Sequence, residues 1–244
     1  VFSAAHLLKA RAETFRPRWR GEMRGASFVE HDQGRLRVWQ KPRAGERYVI
    51  GADVAEGLEH GDFSCADVLR CSDGAQVAQW HGHEDPDRYG DILFDLGNWY
   101  NGALIGVERN NHGLTTLTRL RNRGYKRLYV QEDLEHRSGK PTKKLGWQTT
   151  DKSKFKIIDQ LAAELREGDA RIACEDTITE MSTFVIEQTV AGNIRMNAKP
   201  GCFDDRVMAR AIAGEMLRHA PRQHPATVAA DASKPKPDKW AMVR

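Results

Sequence analysis

The chain has 244 residues, 40% of them hydrophobic and 30% charged. That length suits one generous domain with appendages, because domains run to roughly 100–200 residues and a chain of this size buries about 70% of the surface its unfolded form exposes. No apolar run approaches the ~20 residues of a membrane span and no signal peptide opens the chain, which sets membrane and secreted proteins aside. The net charge of +4 is mild, yet between Arg119 and Lys156 twelve Lys/Arg stand against four Asp/Glu. A basic stretch on a nearly balanced chain points to a polyanion partner on one face.

Residues 1–45 are Arg-rich with brief apolar patterning and read as a lead-in. The chain starts at Val1 in mid-pattern, so it reads as a piece of a longer protein. From Arg47 the pattern sharpens. Tyr48–Val54 is an apolar run of strand formers, as a strand buried on both faces requires. Cys65–Cys71 and Gln76–His81 follow as two more strands, joined through the hairpin-turn residues Ser72-Asp73-Gly74. Pro86 opens a helix that Tyr89, Ile92, Leu93, Leu96 and Tyr100 continue at helical spacing. Gly102–Glu108 is a fourth strand, His112–Asn122 a second helix closed by Gly124, and Leu128–Val130 a fifth strand. Three antiparallel strands followed by two crossovers predict a mixed five-stranded α/β sheet with helices on its faces.

Beyond Gln131, Arg137–Lys144 is a basic excursion punctuated by Gly and Pro. Ser153–Glu167 predicts an amphipathic helix with Phe155, Ile158, Leu161 and Leu165 on one stripe. Thr177–Gln188 reads as helix, Val190–Ile194 as a hairpin tip, and Asp204–Leu217 as a long helix with Val207, Met208, Ala211, Ile212 and Met216 inward. After Pro221 the composition predicts a disordered tail. The expected layout is a lead-in over 1–45, a folded domain over 46–220 and a flexible tail over 221–244. The four cysteines (Cys65, Cys71, Cys174, Cys202) form no C-x-x-C pair, which speaks against a zinc ribbon or disulfide framework and for a reducing compartment.

The acidic residues carry the chemistry. Asp53 lies near the end of the first buried strand, Glu108 ends the fourth, and Asp204 and Asp205 open the last long helix. With strands one and four as neighbours, Asp53 and Glu108 project side by side, and the helix closes the cluster from a third side. Gathering carboxylates is costly unless cations neutralise them, and an oxygen-only ligand set suits Mg²⁺ or Mn²⁺. Singly, a strand-end Asp is a turn former and Asp204 a helix N-cap; the convergence of all of them favours a metal site. No G-x-x-x-x-G-K-[ST] loop occurs, so this chain is not an ATP-driven motor.

Three blocks now carry a resemblance: Tyr48–Asp62 (YVIGADVAEGLEHGD), Ile105–Gly113 (IGVERNNHG) and Asn197–Ala213 (NAKPGCFDDRVMARAIA). In this order and spacing they resemble the C-terminal nuclease domain of the large terminase subunit of tailed bacteriophages, in the ribonuclease H-like superfamily. The resemblance spans about residues 30–218. It implies a ribonuclease H-like fold and a metal-dependent endonuclease in the cytoplasm of an infected bacterium. Its substrate would be concatemeric double-stranded DNA, cut with little sequence preference at the start and end of genome packaging. By position in the blocks, Asp53 would bridge two Mg²⁺ or Mn²⁺ ions, Glu108 hold one and Asp205 the other. Asp204 would serve the second, weaker site or cap the helix, and Asp62 would support the ligands or shape a turn. Two ions ~3.5–4 Å apart activate an attacking water and stabilise the leaving 3′ oxygen. The implied partners are an upstream ATPase domain, whose tail residues 1–45 would include, the small terminase subunit and the portal; no membrane is implied. One departure stands out: the family often carries His before the paired Asp, and this chain has Phe203.

The basic excursion then supplies phosphate contacts without sequence readout. Arg137, Lys140, Lys143 and Lys144 are its leading candidates, with Lys152 and Lys154 behind them and Lys199 near the scissile phosphate. His112 reads as a helix-start residue rather than a catalytic one. His81 and His83, with Glu84 and Asp85, read as a strand end rather than a transition-metal site. Two other classes stay open. Another ribonuclease H-like nuclease, such as a resolvase or transposase core, is the first, and a resolvase would act on branched DNA. A non-catalytic DNA-binding module is the second, and metal-dependent plasmid cleavage separates it from either enzyme.

Overall fold

A computed structural model describes residues 1–58, 61–134, 141–188 and 194–220. The first 45 residues, expected as a lead-in, are structured: helix α1 (Ala4–Ala12) precedes strands β1 (Trp19–Arg24), β2 (Ser27–Glu30) and β3 (Leu36–Val38). Their apolar alternation is only two or three residues long, too short to separate from loop in the sequence. The expected meander follows as β4 (Tyr48–Asp53), β5 (Ser64–Arg70) and β6 (Gln76–Gly82), then α2 (Pro86–Trp99), β7 (Leu104–Val107) and α3 (Asn111–Asn122). One sheet contains seven strands in the order β2-β1-β3-β6-β5-β4-β7, with β4 and β7 parallel and every other pair antiparallel.

Five expected strands thus become seven, and the fifth is itself corrected. Leu128 makes a single parallel bridge to Ile105, with Tyr129 N–H donating to Ile105 O at 2.8 Å. Val130 then leaves the sheet to begin β8 (Val130–Leu134), which pairs with β9 (Pro141–Leu145) as a separate hairpin. After it come α4 (Asp151–Glu167), α5 (Glu175–Thr183), β10 (Phe184–Gln188), β11 (Ile194–Ala198) and α6 (Asp205–His219). The helix expected over Thr177–Gln188 stops at Thr183, because Phe184, Val185 and Ile186 suit a strand and pair with β11. On α4 the buried stripe is Ile157, Ile158, Leu161 and Leu165; Phe155, expected inside, faces solvent. The tail over 221–244 and most of the hairpin tip over 190–194 lie outside the described residues.

The sheet is buried on both faces, and β4 shows why its run is continuously apolar. Tyr48, Ile50 and Ala52 pack with Leu93, Leu96 and Leu117 from α2 and α3. Val49 faces the other way, into a core with Ile158 and Leu161 of α4 and Val207, Ile212 and Met216 of α6. Alternate residues of one strand thereby fill two cores. Helix α6 is buried along nearly its whole length between the sheet and α4. Its close seat depends on glycine: a Cβ at Gly51 would collide with the backbone of Ala209 and Ala213, and one at Gly106 with the thioether of Met216.

Candidate active site

The strand register assembles the site. Ala52 lies opposite Val107, and Glu108 N–H donates to Ala52 O at 2.8 Å, so Glu108 follows directly beside Asp53. On the other side Asp53 pairs with Cys65, and Cys65 with His81. Residues directly opposed across strands share a face. Glu108, Asp53, Cys65 and His81 therefore form one row, two residues beyond the Gly106–Gly51 row on which α6 lies. The N-terminus of α6 brings Asp205 to this row.

The carboxylates act on one another's charge. Burial first, then the Glu108 charge, a hydrogen bond shared with Glu108, and the charges of Asp205 and Asp204 push the Asp53 carboxyl well above its usual range. Asp205 is 4% exposed. Burial, Glu180, Asp62 and Asp204 raise its carboxyl to about 8, against the opposing pull of a hydrogen bond from Phe63 N–H. Asp205 Oδ2 is buried without a hydrogen-bond partner. Glu108 is held from behind: Asn110 Nδ2 donates to Glu108 Oε2 at 3.2 Å and to Val54 O at 2.8 Å. The same Asn110 caps α3, its Oδ1 accepting from Gly113 N–H at 2.7 Å. A Cβ at Gly113 would strike Glu108 O, so the glycine lets α3 start against the end of β7.

Among the described residues no three His, Cys, Asp or Glu side chains form a ready-made metal cage. What exists is a pair of buried acids, Asp53 and Asp205, whose proton affinity burial and neighbouring carboxylates raise, together with an orphaned buried carboxylate oxygen. A divalent cation relieves both, and hard oxygen donors suit Mg²⁺ or Mn²⁺. The donor types present, carboxylate oxygens, are those such an ion accepts.

The remaining expected residues separate. Asp62 is exposed, and its charge reaches Asp205. Asp204 occupies the N-cap position of α6 yet makes no capping hydrogen bond, so the capping option is corrected. It turns instead to Lys154, whose Nζ lies 3.3 Å from Asp204 Oδ2 and 2.8 Å from Asn197 Oδ1. Lys154 is thus held by groups of the protein itself. Lys143 is exposed on β9 and pairs with Glu132 at 2.8 Å. Lys144 and Lys152 line a groove of about 890 Å³ between the hairpin, the start of α4 and the end of α6, together with Trp147 and Lys156. The groove adjoins the acidic row, since Trp147 bridges Glu108 in parallel and Trp147 O accepts from Arg109 N–H at 2.6 Å. Lys199 is exposed just beyond β11. Arg137 and Lys140 lie outside the described residues. His112 sits in the first turn of α3, as a helix-start residue should.

Two residues were missed. Asn110 stands two positions after Glu108 and three before Gly113, a cap spacing legible in IGVERNNHG. His81 is more than a strand end: its Nε2 lies 4.0 Å from Asp205 Oδ2. Burial first, then the cations Arg206 and Arg37, hold its ring well below the usual range, at about 3, so it is neutral at working pH.

The order of the strands and the parallel β4–β7 pair define a mixed seven-stranded α/β sheet flanked by helices. Neither a protein-family model nor a curated protein matches the sequence. Solved structures match its fold. The chain is similar to the large terminase nuclease from thermophilic phage G20c with bound magnesium, at 19% identity and a TM-score of 0.62, over 86% of this chain and 96% of that one. The same phage nuclease with bound cobalt gives a TM-score of 0.61 at 19% identity, over 86% and 96% of the two chains. The large terminase nuclease domain of Thermus phage P74-26 gives 0.57 at 20% identity, over 85% and 93%. The chain has the fold of these phage nuclease domains.

Proposed function

We propose that this chain is the nuclease domain of a viral DNA-packaging terminase, a metal-dependent endonuclease that hydrolyses phosphodiesters of concatemeric double-stranded DNA with little sequence preference. One observation carries the reading: Asp53 and Glu108 stand side by side on parallel strands while α6 brings in Asp205, where burial and neighbouring carboxylates raise both Asp53 and Asp205. The fold likeness to nucleases solved with magnesium, cobalt and zinc supports it. Asp53 would lie between two Mg²⁺ or Mn²⁺ ions, Glu108 on one and Asp205 on the other, with Asp204 contributing at the weaker site. Bound there, the ions would supply an activated water and charge stabilisation at the leaving 3′ oxygen. The protein's own part is to orient. Asn110 holds Glu108, the Gly51 and Gly106 seats fix the height of α6, and Lys144 and Lys152 draw the DNA backbone toward the row. In the whole terminase an upstream ATPase domain, the small subunit and the portal would accompany this domain, in the cytoplasm of the infected host.

The test is plasmid cleavage in Mn²⁺ or Mg²⁺ with an EDTA control. Wild type should nick and linearise supercoiled DNA only with metal, and Asp53→Ala should not. Its metal-free melting temperature should hold or rise, because one clustered charge is gone. Nicking by well-folded Asp53→Ala would sink the assignment.

A further inference from the structure

His81 has no part in the reaction above, yet the structure holds its ring on three sides. Phe63 stacks on its face with ring centroids 4.5 Å apart. Its Nδ1 lies 3.1 Å from Arg206 Nη2. A guanidinium only donates, so Nδ1 must accept and the single proton of the neutral ring sits on Nε2. Arg206 is itself fixed: Nη1 donates to Glu180, the Arg206 N–H donates to Glu180 Oε2 at 2.8 Å, and Asp176 Oδ2 lies 3.5 Å from Nη2. Asp176 is anchored in turn by Arg37 of β3 at 2.6 Å. The third side is Asp205, whose Oδ2 lies 4.0 Å from His81 Nε2. Both atoms are buried and neither has a hydrogen-bond partner. Buried polar atoms are nearly always paired, and here two orphans, one donor and one acceptor, face each other.

We propose, resting on the reading of Asp205 as a metal ligand, that His81 is a positioning residue: Arg206 locks it as the Nε2–H tautomer, and that N–H donates to Asp205 Oδ2 and fixes the carboxylate's orientation. The 4.0 Å separation exceeds a hydrogen bond by about 1 Å, a gap that the proposal requires a reorientation of the Asp205 carboxylate to close. The choice of residue is chemically sensible. A neutral donor orients a carboxylate and leaves its charge for a cation, whereas Lys or Arg in that place would compete with the metal. Because Nε2 bears the proton, the ring serves the ligand and is not a ligand itself. Such supporting donors typically govern metal affinity by about 10–100-fold.

Two measurements on the intact chain decide it. Imidazole ¹⁵N NMR without metal or DNA reads the tautomer, with the His81 signal assigned by its loss in His81→Gln; Nε2–H is expected. Calorimetry reads Mn²⁺ affinity. His81→Phe keeps a ring against Phe63 but removes the donor, and should weaken Mn²⁺ binding by about 10–100-fold and lower kcat with little change in KM for DNA. His81→Gln, which retains an N–H near the Nε2 position, should recover most of both. An Nδ1–H tautomer, or Mn²⁺ affinity within about twofold of wild type in folded His81→Phe, overturns the proposal. A wild type that neither binds Mn²⁺ nor cuts DNA overturns the nuclease reading, and this proposal with it.

Discussion

Replacing Asp205 with Asn removes a charge that the site tolerates only beside a cation, and stability reports it without any cleavage assay. Burial and three neighbouring carboxylates lift this carboxyl from 3.8 to about 8. Between those values the folded chain keeps a proton that the unfolded chain has released. The metal-free fold therefore loses stability as pH rises from 3.8 toward 8, and the loss is complete above the folded value. Roughly four pH units at ~1.4 kcal/mol each set a ceiling on the order of 5 kcal/mol. A third of that, about 2 kcal/mol, moves the Tm of a domain this size by about 4–8 °C. Asn keeps an oxygen to accept the Phe63 N–H and forfeits only the favourable place of a carboxylate in the first turn of α6, ~0.3–1 kcal/mol. In EDTA at pH 5 the two proteins should melt within a few degrees of each other. At pH 8.5 Asp205→Asn should melt about 4–8 °C higher. Added Mn²⁺ should reverse the order, because only the wild type gains strongly from binding. Melting curves whose pH dependence is the same for both proteins would refute the argument.

Three further outcomes follow from the same geometry. Gly51→Ala forces a methyl into the backbone of α6 and should cost about 1–3 kcal/mol in urea unfolding, with cleavage falling as Asp205 shifts; an unchanged midpoint would show that the helix is not seated there. Asp204→Asn should leave weak cleavage that recovers as Mn²⁺ is raised, and should not cost a cap, since none is made; a dead enzyme at every metal concentration would exchange its role with that of Asp205. Charge reversal of Lys144 and Lys152 should reduce the slope of log affinity against log salt by about 0.9 per lost contact and spare Mn²⁺ binding; an unchanged slope would return the groove to being solvated surface.

The sequence made the central strands and the acidic trio legible for a simple reason: Tyr48–Asp53 and Leu104–Val107 are buried on both faces, and such strands write themselves as uninterrupted apolar runs. β1–β3 escaped because short, half-exposed strands carry almost no period. The end of α5 was misread because Thr183–Ile186 has apolar residues at a spacing that helix and strand both permit until β11 supplies a partner. Lys154 shows a different limit. Composition marks it as basic, but only the fold brings Asp204 and Asn197 to its ammonium group. His81 was discounted for a similar reason: nothing local says that Asp205, 124 residues later, arrives beside it.

One device recurs in the sequence and explains why the acidic row forms at this end of the sheet. Gly51-Ala52-Asp53 and Gly106-Val107-Glu108 place a glycine two residues before a carboxylate on adjacent parallel strands, in register. Because strand side chains repeat with period two, each glycine and its carboxylate share a face. Gly51 admits the backbone of α6 and Gly106 its Met216 thioether, and one step further along the same face the carboxylates stand where that helix begins. Close packing and acidic clustering are therefore produced by the same residues. Packing against Ala209, Ala213 and Met216 holds Asp205 beside charges that repel it, so the helix cannot drift away to relieve them. The remaining routes to relief are protonation and a divalent cation, and of these only the cation leaves the carboxylates charged.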